Sequence, residues 1–194
     1  IYTDSFASYT YGTLWNGSAW ESEETILSGF QIVQLPYYSF SASPIGDDVY
    51  FGYVKSLDNK PYFKWRDYDG GGWQTEENVY NGTVTGVSLT VDSATGDVYI
   101  YWSTGIYDDI ICAKRSGGVW QSPVTLVTTT SVVPLSITTF VDAVSNYVGV
   151  GWVRGTSPYY LWYELHNLAP APPPAVKAGL NIPQVLEIIL ADEG

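Results

Sequence analysis

The side chains that could carry chemistry in this chain are few and mostly solitary. It holds one histidine, His166, and one cysteine, Cys112, the latter inside the apolar run Ile110-Ile111-Cys112-Ala113. Zinc sites gather several nitrogen and sulfur ligands, so this isolated pair does not suggest one. A lone thiol among apolar neighbours reads as a small buried hydrophobe and cannot close an internal disulfide. Asp47, Asp48, Asp97, Asp108 and Asp109 could supply the paired carboxylates of a glycosidase. Each falls in a turn, however, where Asp is expected anyway for its hydrogen bonds to backbone. Asp67 and Asp69, in Asp67-Tyr68-Asp69-Gly70, alternate as calcium ligands do but lack the further ligands and closing Glu of a full loop. Calcium at Asp67 and Asp69 stays open; no other cofactor or metal is expected. No nucleophile elbow or phosphate-cradling loop appears, and Gly70-Gly71-Gly72 reads as a hairpin turn.

The surplus is aromatic: 16% of residues, against 14% charged. Aromatic faces stack on sugar rings, and Trp15, Tyr53, Trp65, Trp102, Tyr107, Trp152, Tyr159, Tyr160 and Trp162 are candidates for that work. Trp102 and Trp152, at matched strand ends, lead the expected ligand-binding set, with Arg154, Tyr53 and Tyr107; packing competes with binding at each Trp. Trp73 and Trp120 recur so regularly that core packing is the expectation for both. Twenty acidic residues against eight Lys and Arg give a net charge of -12. Such a surface repels phosphate backbones and anionic lipid heads, which argues against nucleic-acid and membrane-surface partners. No apolar stretch reaches the roughly 18 residues of a membrane helix. Asn16-Gly17-Ser18 and Asn81-Gly82-Thr83 match both a glycosylation acceptor and a hairpin turn.

The elements that must position these residues come from a repeat. Asp48-Val49-Tyr50-Phe51-Gly52-Tyr53 returns as Asp97-Val98-Tyr99-Ile100-Tyr101-Trp102, and more loosely as Tyr147-Val148-Gly149-Val150-Gly151-Trp152. Between them lie Gly71-Gly72-Trp73-Gln74 and Gly118-Val119-Trp120-Gln121, with an earlier relative at Ser18-Ala19-Trp20-Glu21. A period near 50 residues built of four short strands per unit predicts an all-β fold, a β-propeller of four-stranded antiparallel blades. Residues 31–82 and 83–130 read as whole blades. Residues 1–30 read as a blade whose first two strands are missing or vestigial, and 131–167 as one lacking its last. The count predicts about three blades of a larger ring, completed by a second copy or by the rest of a precursor, since the chain also has no methionine. Residues 168–176 form a stiff Pro-rich linker, and 177–194 an apolar docking segment.

At the Gly-rich turns the chain resembles a known family. Asp67-Tyr68-Asp69-Gly70-Gly71-Gly72-Trp73 and Lys114-Arg115-Ser116-Gly117-Gly118-Val119-Trp120 look like degenerate Asp-boxes, the turns of the sialidase (BNR-repeat) propeller superfamily. The resemblance implies a propeller over roughly residues 7 to 166, with the box as a structural turn at the outer side of each blade and its Trp packed between strands. A sialidase also clamps one carboxylate with three arginines, and this chain has only Arg66, Arg115 and Arg154. Arg66 and Arg115 hold equivalent positions beside the outer turn; only Arg154 ends a second strand. The expectation is a non-catalytic, extracellular or cell-surface module binding glycan or protein. The alternative is a portion of a sialidase-like glycoside hydrolase with catalytic residues mostly outside the chain.

Overall fold

The computed structural model describes residues 2–4, 9–13, 15, 18–28, 38–42, 48–67, 71–104, 109–128, 136–141, 146–154 and 160–168. These residues form strands and turns, with no helix among them. The expected linker and docking segment lie, apart from Leu168, outside the described residues, as do Asn16, Asp47, Asp69, Tyr107, Asp108 and Tyr159.

Four antiparallel sheets follow one another along the chain. The first holds β1 (Tyr2–Asp4), β2 (Tyr9–Gly12) and β3 (Glu24–Leu27) in that order. The second holds β4 (Tyr38–Ala42), β5 (Val49–Lys55) and β6 (Lys60–Asp67), whose outer edge is paired by two short pieces, β7 (Gly72–Trp73) and β8 (Glu77–Asn78). The third repeats the plan with β9 (Gly86–Val91), β10 (Val98–Ser103), β11 (Ile110–Ser116), β12 (Val119–Trp120) and β13 (Val124–Val127). The fourth holds β14 (Ser136–Val141), β15 (Tyr147–Arg154) and β16 (Tyr160–Asn167). The first sheet keeps a short second strand, three residues long, in which Tyr2, Thr3 and Asp4 pair with Tyr11, Thr10 and Tyr9. Three residues are too short a run for alternation to reveal.

The first strands of successive blades lie side by side, and a ladder of small hydroxyls joins them. The Leu89 N–H donates to Ser39 Oγ (3.1 Å), while Thr139 Oγ1 donates to the Leu89 carbonyl (3.1 Å) and lies 2.9 Å from Ser88 Oγ. Ser39, Leu89 and Thr139 are each 50 residues apart, so the repeat seen in sequence is the step from blade to blade. The ladder also explains why the Val87-Ser88-Leu89-Thr90-Val91 strand is buried throughout, not half-buried as alternation predicts. Both of its faces meet a neighbouring blade, and a small hydroxyl is affordable there when it is bonded.

Second strands send alternate residues to opposite neighbours, as a period of two requires. From β10, Val98, Ile100 and Trp102 pack with Tyr50, Val54 and Phe63 of the blade before. Tyr99 and Tyr101 pack with Val148, Val150 and Trp152 of the blade after. Phe51 and Tyr53 of β5 meet Ile26 and Leu27 in the same way. Gly52 lets the two blades approach closely: a Cβ there would stand 3.0 Å from Ile100 Cδ1 and 3.1 Å from Leu89 Cδ2. Gly117 and Gly118, at φ 56° and 83°, close the two-residue turn from β11 to β12, the primed geometry that matches strand twist and suits glycine.

Candidate functional site

The polar side chains of note converge in the gaps between blades, so the gaps are the natural unit. In the second gap, between the second and third sheets, Arg115 at the end of β11 crosses to Glu77 of β8. Its Nε donates to Oε2 (3.0 Å) and its Nη2 to Oε1 (2.8 Å), a bidentate fork. Trp120 Nε1 donates to the same Oε2 at 2.7 Å. The guanidinium lies 5.3 Å from the Phe63 ring centroid and 5.8 Å from that of Trp65, so its plane is held by cation–π contact as well as by charge. Arg115 keeps 14% of its side chain exposed and Glu77 keeps 30%, which leaves the cluster open at its rim.

The first gap repeats the Arg–Glu fork. Arg66 Nε and Nη2 donate to Glu24 Oε2 and Oε1 at 2.7 and 2.8 Å. The hydrogen bonds from Arg66 hold the Glu24 carboxyl below its usual range despite partial burial. Deeper in this gap, Glu76 accepts from both Tyr53 and Lys55. Burial, reinforced by that carboxylate, pushes the Tyr53 phenol far above its ordinary value.

The third gap breaks the pattern. Strand register places His166 opposite Val148, where Arg66 stands opposite Val49 and Arg115 opposite Val98. Four residues after Trp20 and Trp73 comes a glutamate, Glu24 or Glu77; four after Trp120 comes Val124. The ion pair is thus replaced by a shorter Val–His couple, and a cavity of about 200 Å³ opens there, lined by Tyr99, Lys114, Gln121, Ser122, Val124 and His166 among others. Its charges are already answered: Lys114 Nζ lies 2.6 Å from Asp97 Oδ2. Burial lowers the His166 pKa, which keeps the imidazole neutral, and Nδ1 sits 2.9 Å from the Tyr101 hydroxyl. Burial also pushes the Cys112 thiol up to about 12, so it is a protonated, inert part of the wall.

Of the residues expected to bind, Tyr53, Trp102 and Trp152 are brought to equivalent positions, but their rings are buried and offer no face to a ligand. All three point to the preceding blade, and Trp102 is covered by a stacked Tyr80 (centroids 5.2 Å apart). They are packing residues, because a second strand has a neighbour on each side. Tyr107 lies outside the described residues; Arg154 ends β15 opposite Tyr160, with only its backbone described. Trp73 and Trp120 pack against the core clusters as expected. Trp15 and Trp20 are exposed and meet edge to face, with centroids 5.5 Å apart. Arg66 and Arg115 serve separate glutamates in successive gaps and do not converge on one point. Asp67 ends β6, and among the described residues no group of three or more His, Cys, Asp or Glu could hold a metal. Sequence reasoning missed the interblade Arg–Glu pairs and the Trp120 bond to one of them. The glutamate recurring four residues after Trp20 and Trp73 was the available signal.

No family model and no curated protein matches the chain. Among solved structures it is similar to SapL1 lectin in complex with α-methyl fucoside, at 12% identity and a TM-score of 0.53, covering 91% of this chain and 56% of that one. A mutant of Aleuria aurantia lectin in complex with Fucα1-6GlcNAc gives 15% identity and a TM-score of 0.50, covering 87% and 55%. The same mutant with α-methyl-L-fucoside gives 15% and 0.50, covering 89% and 55%. The chain therefore spans little more than half the length of these lectins. The likeness, with the blade-to-blade ladder, establishes an all-β propeller architecture.

Proposed function

We propose that this chain is a non-catalytic, glycan-binding propeller module that works outside the cell or at its surface, where glycans are displayed. The observation that carries the reading is the cluster Arg115–Glu77–Trp120. A guanidinium has five N–H donors and a carboxylate about four lone-pair sites. The fork and the indole use two of the donors and three of the acceptor sites. What is left, at a partly open rim, is a mixed set of charged donors and an acceptor held rigid by aromatic rings. Vicinal sugar hydroxyls, each both donor and acceptor, are the ligand such a set recognises. The likeness to lectins solved with fucosides supports the same reading and makes a fucoside the first probe.

Titration calorimetry with α-methyl fucoside, preceded by a glycan panel, tests it. Trp120→Phe keeps the ring packing and deletes one donor; Glu77→Gln keeps the shape and deletes the charge. A hydrogen bond to a charged group is worth about 1.5–3 kcal/mol, so Glu77→Gln should weaken binding by about tenfold or more. A panel without any binding by the unmodified chain overturns the proposal.

A second copy of the chain is the partner that would extend the ring. The outer face of the first sheet exposes Tyr9, Trp15 and Trp20, and that of the last sheet exposes Tyr147, Leu161 and Leu165. By repeat equivalence, Trp20 matches Trp73, which packs against the blade before it. These two surfaces are the two halves of a blade gap. Native mass spectrometry should show a multimer that Leu165→Glu dissociates; a wild-type monomer at micromolar concentration refutes this part.

A further inference from the structure

We infer that the third gap is a ligand pocket of a different kind from the Arg115–Glu77–Trp120 cluster, one that takes a single neutral monosaccharide unit. The inference rests on the glycan-binding reading and assigns it a second site. Three observations carry it. First, the pocket lies where the repeat is broken at two matched positions, Val124 for glutamate and His166 for arginine. The first and second gaps, where both long side chains are present, are spanned by their ion pairs. Second, its size is small: about 200 Å³ is below the range of pockets for drug-sized molecules and suits one ring. Third, its lining asks for hydroxyls without asking for charge. Lys114 is neutralised by Asp97, and no carboxylate or guanidinium lines the cavity.

His166 is the polar centre of this pocket. The Tyr101 hydroxyl is buried, and it shares a hydrogen bond with His166 Nδ1 at 2.9 Å. The second ring nitrogen, Nε2, lies on the side of the ring away from Tyr101 and is a donor or an acceptor according to the tautomer. Gln121 and Ser122 add an amide and a hydroxyl at the mouth, where both are exposed. Tyr99, nearly edge-on to His166 (84° between rings, centroids 5.9 Å apart) and capped by Lys114 over its ring, is a buried part of the floor that holds the imidazole in place. An anionic sugar would enter without an unpaired cation to receive it, and is disfavoured.

His166 is the chain's one histidine, so its ring signals in a proton–carbon NMR spectrum are unambiguous. The intact chain is titrated with methyl α-L-fucoside and, separately, methyl β-D-galactoside, while the Trp120 indole N–H signal reports the second gap. One of the two sugars should shift the His166 ring signals saturably. Val124→Trp, at a position 54% exposed and on the cavity wall, should abolish that shift, while the Trp120 response persists. Glu77→Gln should do the reverse. Sugar-dependent shifts at Trp120 with His166 silent overturn this inference and leave the glycan-binding reading standing. Silence at both overturns both, and a His166 response that survives Val124→Trp removes the cavity as the site.

Discussion

Restoring the missing ion pair in the third gap is the most direct test of the repeat equivalence on which these readings depend. The perturbation is the double substitution Val124→Glu with His166→Arg, which writes into the third gap the residues of the first and second. Each half has its own cost. Val124 is 54% exposed, so Val124→Glu alone should change stability by no more than about 0.5 kcal/mol. His166→Arg alone breaks the 2.9 Å bond to Tyr101 and brings an unpaired charge into a half-buried place, costing about 2 kcal/mol. The coupling between them can be read from the native pairs, whose arginines keep 10–14% exposure and whose glutamates keep 30–33%. That setting lies between an exposed pair, worth about 0.2–1 kcal/mol, and a fully buried one, whose breaking costs about 3–5 kcal/mol. A coupling of about 1–2 kcal/mol is expected, most of the loss caused by His166→Arg. Urea unfolding of the wild type, both single variants and the double variant closes the cycle. Additivity within about 0.3–0.5 kcal/mol, the level found for independent sites, would refute the equivalence of His166 with Arg66 and Arg115.

Two further outcomes follow from the packing and the charges. Gly52→Val should destabilise the fold by about 1–3 kcal/mol in urea unfolding, because even its Cβ meets Ile100 and Leu89 at 3.0 and 3.1 Å; an unchanged midpoint would show that the two blades are not so closely seated. Acid should weaken the fold in a defined window. Hydrogen bonds from Arg66 lower the folded pKa of Glu24; at Glu76 and Asp97 burial pushes upward but is outweighed by bonds from Lys55 and Tyr53, and from Lys114 and its neighbours. All three are lowered from ordinary values of 4.5, 4.5 and 3.8, so their stabilisation is present above those values and lost as pH falls through the folded ones. Unfolding free energy should therefore drop from about pH 5 downward, less steeply in Glu24→Gln, and a flat profile over that range contradicts the assignment.

The blade plan was legible because it is local. Val49, Val98 and Val148 each stand at the start of a strand, first or second in it, whose partners are the neighbouring runs in the chain, and Gly117-Gly118 announces its own turn. What was not legible is what happens between blades. Alternation along Val98–Ser103 separates two faces but does not say that both are covered, so Trp102 looked available while being fully buried. The partners of Arg66 and Arg115 lie 42 and 38 residues earlier, a separation that carries no periodic signature. His166 could be matched to those arginines only through the pairing of β15 with β16, which fixes it opposite Val148.

The energetics of the gaps also explain how one frame can hold closed and open versions of itself. An empty apolar void of about 200 Å³ would cost roughly 5 kcal/mol at the usual penalty of ~24 cal/mol per Å³, a large share of the stability of a small fold. The third gap does not carry that cost, because its mouth is lined by the exposed Gln121 and Ser122 and its wall by Lys114 and His166, groups that water can satisfy. Replacing Glu and Arg by Val and His thus exchanges an interblade ion pair of modest net worth for a hydrated recess of similar free energy. The frame around it is unaffected, since the Ser39–Leu89–Thr139 ladder and the second-strand core hold the blades together elsewhere. Gap chemistry can therefore vary from blade to blade without altering the architecture, and this freedom lets a repeated scaffold carry non-identical gaps.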